Sequence, residues 1–90
     1  MSRLLVKGAE AALPTSTGTG TSISQARVVR VVNTGASADH LVTIQDTAGG
    51  TTLGSFTVAR SSSEIFEKEP TDIVWAANAA VKASAVGFTN

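Results

Sequence analysis

Apolar positions in this chain recur mostly at every second residue, the period of a strand that turns one face toward a core. His40–Asp46 is the clearest case: Val42 and Ile44 share one face, and Leu41, Thr43 and Gln45 share the other. The Ala48-Gly49-Gly50 stretch that follows supplies glycines able to take positive φ, and Thr52–Val58 then resumes the alternation with Phe56 and Val58 together, which predicts a hairpin. Upstream, Ala26–Asn33 carries Val28, Val29, Val31 and Val32. This near-continuous apolar run predicts a central strand flanked on both faces, and its Arg27 and Arg30 need exits or partners. Glu64–Lys68, with Ile65 opposed to Phe66, predicts a further short strand that Pro70 stops. Thr71 or Asp72 is then expected to cap a single helical turn through Ile73–Ala76. Ala79–Phe88 is read as the closing strand, with Val86 and Phe88 on one side and Val81, Ala83 and Ala85 on the other. Its alanines also suit a helix, but Val81, Val86, Gly87 and Phe88 tip it toward extended structure. Arg3–Lys7 makes a short edge strand, with charges flanking Leu4, Leu5 and Val6.

Composition supports the same class. Ten Val, four Ile and twelve Thr are β-branched and stiff at χ1, which suits a pleated surface. At 90 residues the chain holds one domain. With three Phe, one Trp and no Tyr, its core must be largely aliphatic, and with no Cys there is neither a disulfide nor a thiolate metal site. Short strands separated by turn residues at a spacing of about ten predict an all-β fold. The expected form is a small antiparallel β-sandwich, Ig-like or jelly-roll-like, of six or seven short strands with an extended N-terminal segment. The predicted organisation is an N-terminal strand plus a Ser/Thr/Gly-rich arm over residues 1–25 and the sandwich over residues 26–90.

Pro14–Ser24 is the segment that fits least well. It has one apolar side chain in eleven positions, too few to offset the entropy of ordering it, so it is expected to be mobile in isolation and ordered either by lying along its own sheet or in a crystal contact, or by neighbouring subunits that hold it. Leu4, Leu5, Thr17, Thr19, Thr21 and Ile23 are the residues expected to touch such a partner. Trp75 is a further candidate, either plugging one end of the sandwich or anchoring a partner.

Charge and chemistry narrow the function classes. Seven Lys plus Arg balance seven Asp plus Glu, so no net field draws the chain to nucleic acid or to an anionic membrane. Residues 1–45 carry +2 and residues 46–90 carry −2, an opposition that suits head-to-tail contacts between copies but is also expected of an ordinary balance within one domain. No run approaches the length of a transmembrane helix, and the start of the chain is too short in apolar residues for a signal peptide. His40 is the only histidine, and its neighbour Asp39 projects to the opposite face of a strand, so no catalytic triad is expected. Glu64, Glu67 and Glu69 bracket Lys68 and read as a solvated edge with a salt bridge. Gly18-Thr19-Gly20 lacks the third glycine and the helix of a dinucleotide loop. The expectation is a protein without catalytic activity, cofactor or metal.

Arg30-Val31-Val32-Asn33-Thr34, Leu41-Val42-Thr43, Glu67-Lys68-Glu69-Pro70-Thr71-Asp72, Ala80-Val81-Lys82-Ala83 and Phe88-Thr89-Asn90 together resemble the small virion structural proteins of tailed bacteriophages of cyanobacteria and other marine bacteria. The likeness spans roughly residues 28–90, and the turn containing Pro70 is its strongest piece. What the resemblance implies is a β-sandwich present in many copies on a particle and made in the host cytoplasm. The first expectation is a capsid decoration or cement protein, its partner the major capsid protein and its location the capsid surface. The alternative is a tail or neck component forming rings through sheet edges. A second alternative, a cellular carbohydrate- or peptide-binding sandwich, needs an exposed aromatic platform.

Overall fold

The computed structural model of the chain describes residues 3–16, 20–47 and 50–89. Their eight strands are β1 (Arg3–Val6), β2 (Ala11–Ala12), β3 (Val28–Asn33), β4 (His40–Gln45), β5 (Thr52–Val58), β6 (Ser63–Glu67), β7 (Ile73–Ala76) and β8 (Val81–Thr89). One antiparallel sheet has the order β1-β8-β3-β6, with β2 also paired to β8, and the other has the order β5-β4-β7. The two sheets face each other as a small β-sandwich, as the alternating pattern predicts.

The core between them is built from short side chains. Val29 and Val31 of β3 and Val81 and Ala83 of β8 meet Val42, Val58, Val74 and Ala76 of the opposite sheet. Phe56 of β5 and Phe66 of β6 close one side with an edge-to-face contact, ring centroids 5.3 Å apart. The residue that ties the sheets most directly is polar. Asn33, fully buried, donates from Nδ2 to the carbonyls of Ala38 (3.0 Å) and Val58 (3.1 Å), and its Oδ1 accepts the Gly35 N–H at 2.9 Å. One amide thus fixes the end of β3, the loop after it and the end of β5.

Three differences from the sequence pattern have physical causes. Ile73–Ala76 is a strand and not a helical turn, and with Ala11–Ala12 it brings the number of strands to eight, above the six or seven expected. In β7, Val74 and Ala76 face the core and Ile73 faces outward, yet Ile73 is also buried, because the chain at Gly20 lies against it. That closeness requires a glycine: a Cβ at residue 20 would sit 2.6 Å from Ile73 Cδ1. The period-two burial pattern of β7 is therefore erased by the chain that covers it at Gly20. The third difference is in β3, which is central in its sheet but buries one face fully: Val29, Val31 and Asn33 are enclosed, whereas Val28, Arg30 and Val32 are half-exposed.

The described parts of the Ser/Thr/Gly-rich segment run along this chain's own sheets. Leu13 N–H donates to Val81 O and Ala76 N–H donates to Pro14 O, and Thr21 and Val74 exchange backbone bonds of 3.0 and 2.8 Å. The segment passes from the edge of the five-stranded sheet to the edge of the three-stranded one, closing one side of the sandwich. Its apolar anchors, Leu13 and Ile23, both pack against the core. Beyond Thr21 the chain makes a left-handed turn at Ile23, Ser24 and Gln25 (φ 54°, 56° and 58°). Local bonds hold it: Ile23 N–H to Thr21 Oγ1, Gln25 N–H to Ser22 Oγ, and Ala26 N–H to Ile23 O. Left-handed backbone costs an L-residue roughly 1–2 kcal/mol, so core packing of Ile23 must impose it.

Two outcomes are expected. Asn33→Ala strands one buried and two half-buried backbone groups and should lower unfolding free energy by about 2–4 kcal/mol in urea titration. At exposed Gln25, glycine relieves the left-handed strain and should raise the melting temperature by a few degrees, whereas Gln25→Val should lower it.

Candidate interaction surface

The most distinctive surface lies on the outer face of the three-stranded sheet. Outward positions on β4 are Leu41, Thr43 and Gln45, and Trp75 of β7 stands opposite Thr43 in register. Trp75 is half-buried and leaves Thr43 and Gln45 almost fully covered beneath it. Its Nε1–H donates to Gln45 Oε1 at 3.1 Å, and Gln45 Nε2 reaches Gly50 O and Thr52 Oγ1. The indole is thereby fixed in orientation. Leu41, diagonal to it on the same face, is 45% exposed. A register shift between Ile44 and Gln45 sets Thr52 and Leu53 against the end of β4 and leaves Leu53 55% exposed.

Large apolar side chains are also exposed in the other sheet: Leu5 and Val6 on β1, and Ile65 on β6. Between them the outer face is held by a charged arch. Arg30 and Ser84 are partners in register, and Arg30 Nη1 meets Glu10 Oε2 at 3.5 Å across β8. The small side chain of Ser84 sits under that bridge, which accounts for its burial on an outward-facing position.

Several other charges are held by partners within the chain. Arg27 pairs with Glu69 at 3.8 Å, so both arginines of the β3 region find partners. Lys68 is buried and not part of a solvated edge as the sequence suggests: its Nζ donates to the carbonyls of Glu69 and Pro70. Burial lowers the Lys68 pKa, and the nearby Asp72 carboxylate opposes that shift. Asp72 Oδ2 accepts the Glu69 N–H and the Asp72 N–H returns to Glu69 O, so the Glu67-Lys68-Glu69-Pro70-Thr71-Asp72 run is a self-locked turn. At the opposite corner, Asp39 Oδ1 accepts the Arg60 N–H at 2.9 Å and Arg60 Nε–H at 3.3 Å. Among the described residues, no three Asp, Glu or His side chains group to hold a metal ion, and no helix is long and apolar enough to cross a membrane.

Of the residues expected to touch partners, Thr21 and Trp75 come close together: Thr21 bridges to Val74, the residue before the tryptophan. Leu4 and Leu5 lie in the other sheet, opposite Phe88 and Gly87, and Leu5 is 47% exposed. Ile23 is half-buried against the core, and Thr17 and Thr19 lie outside the described residues. Sequence reasoning did not single out Leu41, Leu53, Val6 or Ile65. Leu41 and Ile65 each carried a signal, since alternation placed them opposite Val42 and Phe66.

No family model and no curated protein matches the chain. Among solved structures, the Anabaena sensory rhodopsin transducer is similar over 98% of this chain and 93% of its own, at 15% sequence identity and a TM-score of 0.34. A likeness of that degree carries no argument about function.

The Asp39 contacts generate a titration test. The Arg60 backbone N–H, and after it the Arg60 side chain, hold the Asp39 carboxyl below the ordinary value of 3.8. Its stabilising contribution is present above that value and is lost as pH falls through the lowered one. Carboxyl NMR should show the low midpoint, and Arg60→Ala should raise it only in part because the backbone donor remains.

Proposed function

We propose that this chain is a virion structural protein of a tailed bacteriophage, a decoration protein that binds and stabilises major capsid subunits. The reading starts from the sequence resemblance to small virion proteins of such phages. The single structural observation that supports it is the outer face of the three-stranded sheet, where Trp75 is locked by Gln45 beside exposed Leu41. A rigid, oriented aromatic with an apolar neighbour is the kind of anchor that dominates protein interfaces, because it buries area at little cost in side-chain entropy. A shell presents many identical sites, so modest affinity per copy gives stable coverage of the particle.

Mixing the full-length chain with shells that lack it tests the reading. Wild-type protein should bind saturably, and Trp75→Ala, with its unfolding transition checked, should reduce affinity about tenfold or more. Absence of binding, or binding indifferent to Trp75, overturns it. Capture by a polysaccharide in place of a shell protein would favour the carbohydrate-binding alternative.

A further inference from the structure

The five-stranded sheet has two free edges among the described residues, β1 on one side and β6 on the other. We infer that these edges are complementary to each other, so that β1 of one copy adds to β6 of the next and the chain self-assembles head to tail by continuing this sheet. This goes beyond the docking reading above and stands or falls separately, because self-association and shell binding are measured in different experiments.

Strand direction is the first support. β1 is antiparallel to β8, β8 to β3, and β3 to β6. β1 and β6 therefore run in opposite senses, and a second copy placed in the same orientation brings its β6 antiparallel to β1. The alternation continues without a break.

Backbone groups are the second. Lys7 N–H donates inward to Ala85 O, and Lys68 N–H donates inward to Arg27 O, each at 2.8 Å. In an antiparallel ladder alternate residues point their N–H and C=O to opposite sides. Leu4 and Val6 on β1, and Ser63, Ile65 and Glu67 on β6, thus turn theirs away from the sheet. These are the groups a neighbouring strand would pair.

Side chains then select one register. Val6 pairs with Val86, while Ile65 pairs with Arg30, itself the partner of Ser84, so Val6 and Ile65 lie on the same outer face. They are 66% and 44% exposed. Setting Val6 opposite Ile65 lets the two cover each other, and it places Lys7 opposite Glu64 and Leu5 opposite Phe66. Lys7 and Glu64 are both exposed, and neither forms an ion pair with another described residue. Slipping by two residues in either direction sets Leu5 against Glu64 or against Lys68. Opposite charge and apolar contact therefore agree on a single alignment. A partly apolar edge left open is a hazard that proteins usually blunt, and here the second edge is shaped to occupy the first. The contact is heterologous, giving rings if the rotation closes and filaments if it does not.

Sedimentation velocity of the full-length chain over a concentration series tests this. Species larger than the monomer are expected, weakening as salt rises. Ile65→Pro removes an outward-facing donor that the fold does not use, and should abolish assembly while leaving the circular dichroism spectrum unchanged. Lys7→Glu and Glu64→Lys should each weaken association about tenfold through like-charge contact, and mixing the two variants should restore it, since every junction then joins opposite charges. A wild-type chain that stays monomeric at all concentrations, or assembly that survives Ile65→Pro, overturns the inference, as does failure of the charge-swapped mixture to recover.

Discussion

The Asn33 amide is the interaction on which this fold leans most. A core whose largest fully buried side chains are valines and one asparagine gains little from any single contact, since burying a valine is worth about 1.5–3 kcal/mol. Small side chains also grip their neighbours loosely in register. A side chain that satisfies three backbone groups on two other segments supplies what the aliphatic layer lacks: a fixed relation between the ends of β3 and β5 and the loop beside them. The corner is reinforced from outside by Asp39 and Arg60, and by the Ser61 N–H bonded to Gly35 O.

The sandwich is closed unevenly. On one side the described parts of the stretch between Leu13 and Ala26 bond to both sheets, using backbone bonds to β8 and β7 and two apolar anchors. On the other, β5 and β6 pair with no further strand among the described residues, and Phe56 and Phe66 are in contact behind them. The left-handed turn at Ile23–Gln25 belongs to the closed side, where the chain must reverse in little space and still seat Ile23 on the core. Strain there is the local cost of sealing that side.

Much of this was legible in the amino-acid order. Period-two alternation located β4, β5 and β6, a near-continuous valine run located β3, Val81, Val86, Gly87 and Phe88 tipped β8 toward extended structure, and the glycines after Asp46 announced the hairpin. What could not be read has a common cause, burial by something distant in sequence. Ile73 is covered by Gly20, so β7 shows no alternation; Ser84 is covered by the Arg30–Glu10 bridge, so β8 is buried on both faces. The Pro14–Ser24 stretch has almost no apolar content because the part that follows β7 is held by main-chain bonds, which leave no mark on composition. Lys68 looked like a surface charge because nothing in the local run shows that two carbonyls converge on its ammonium group.

Gln45 serves two masters at once: its oxygen orients the indole of Trp75, and its nitrogen reaches the backbone and hydroxyl at the tip of the β4–β5 hairpin. The pose of the tryptophan is therefore linked, through Gln45, to the shape of the hairpin tip. Variation confined to that hairpin tip could retune what the aromatic surface recognises, and a ligand pressing on the indole would be felt at the tip in return.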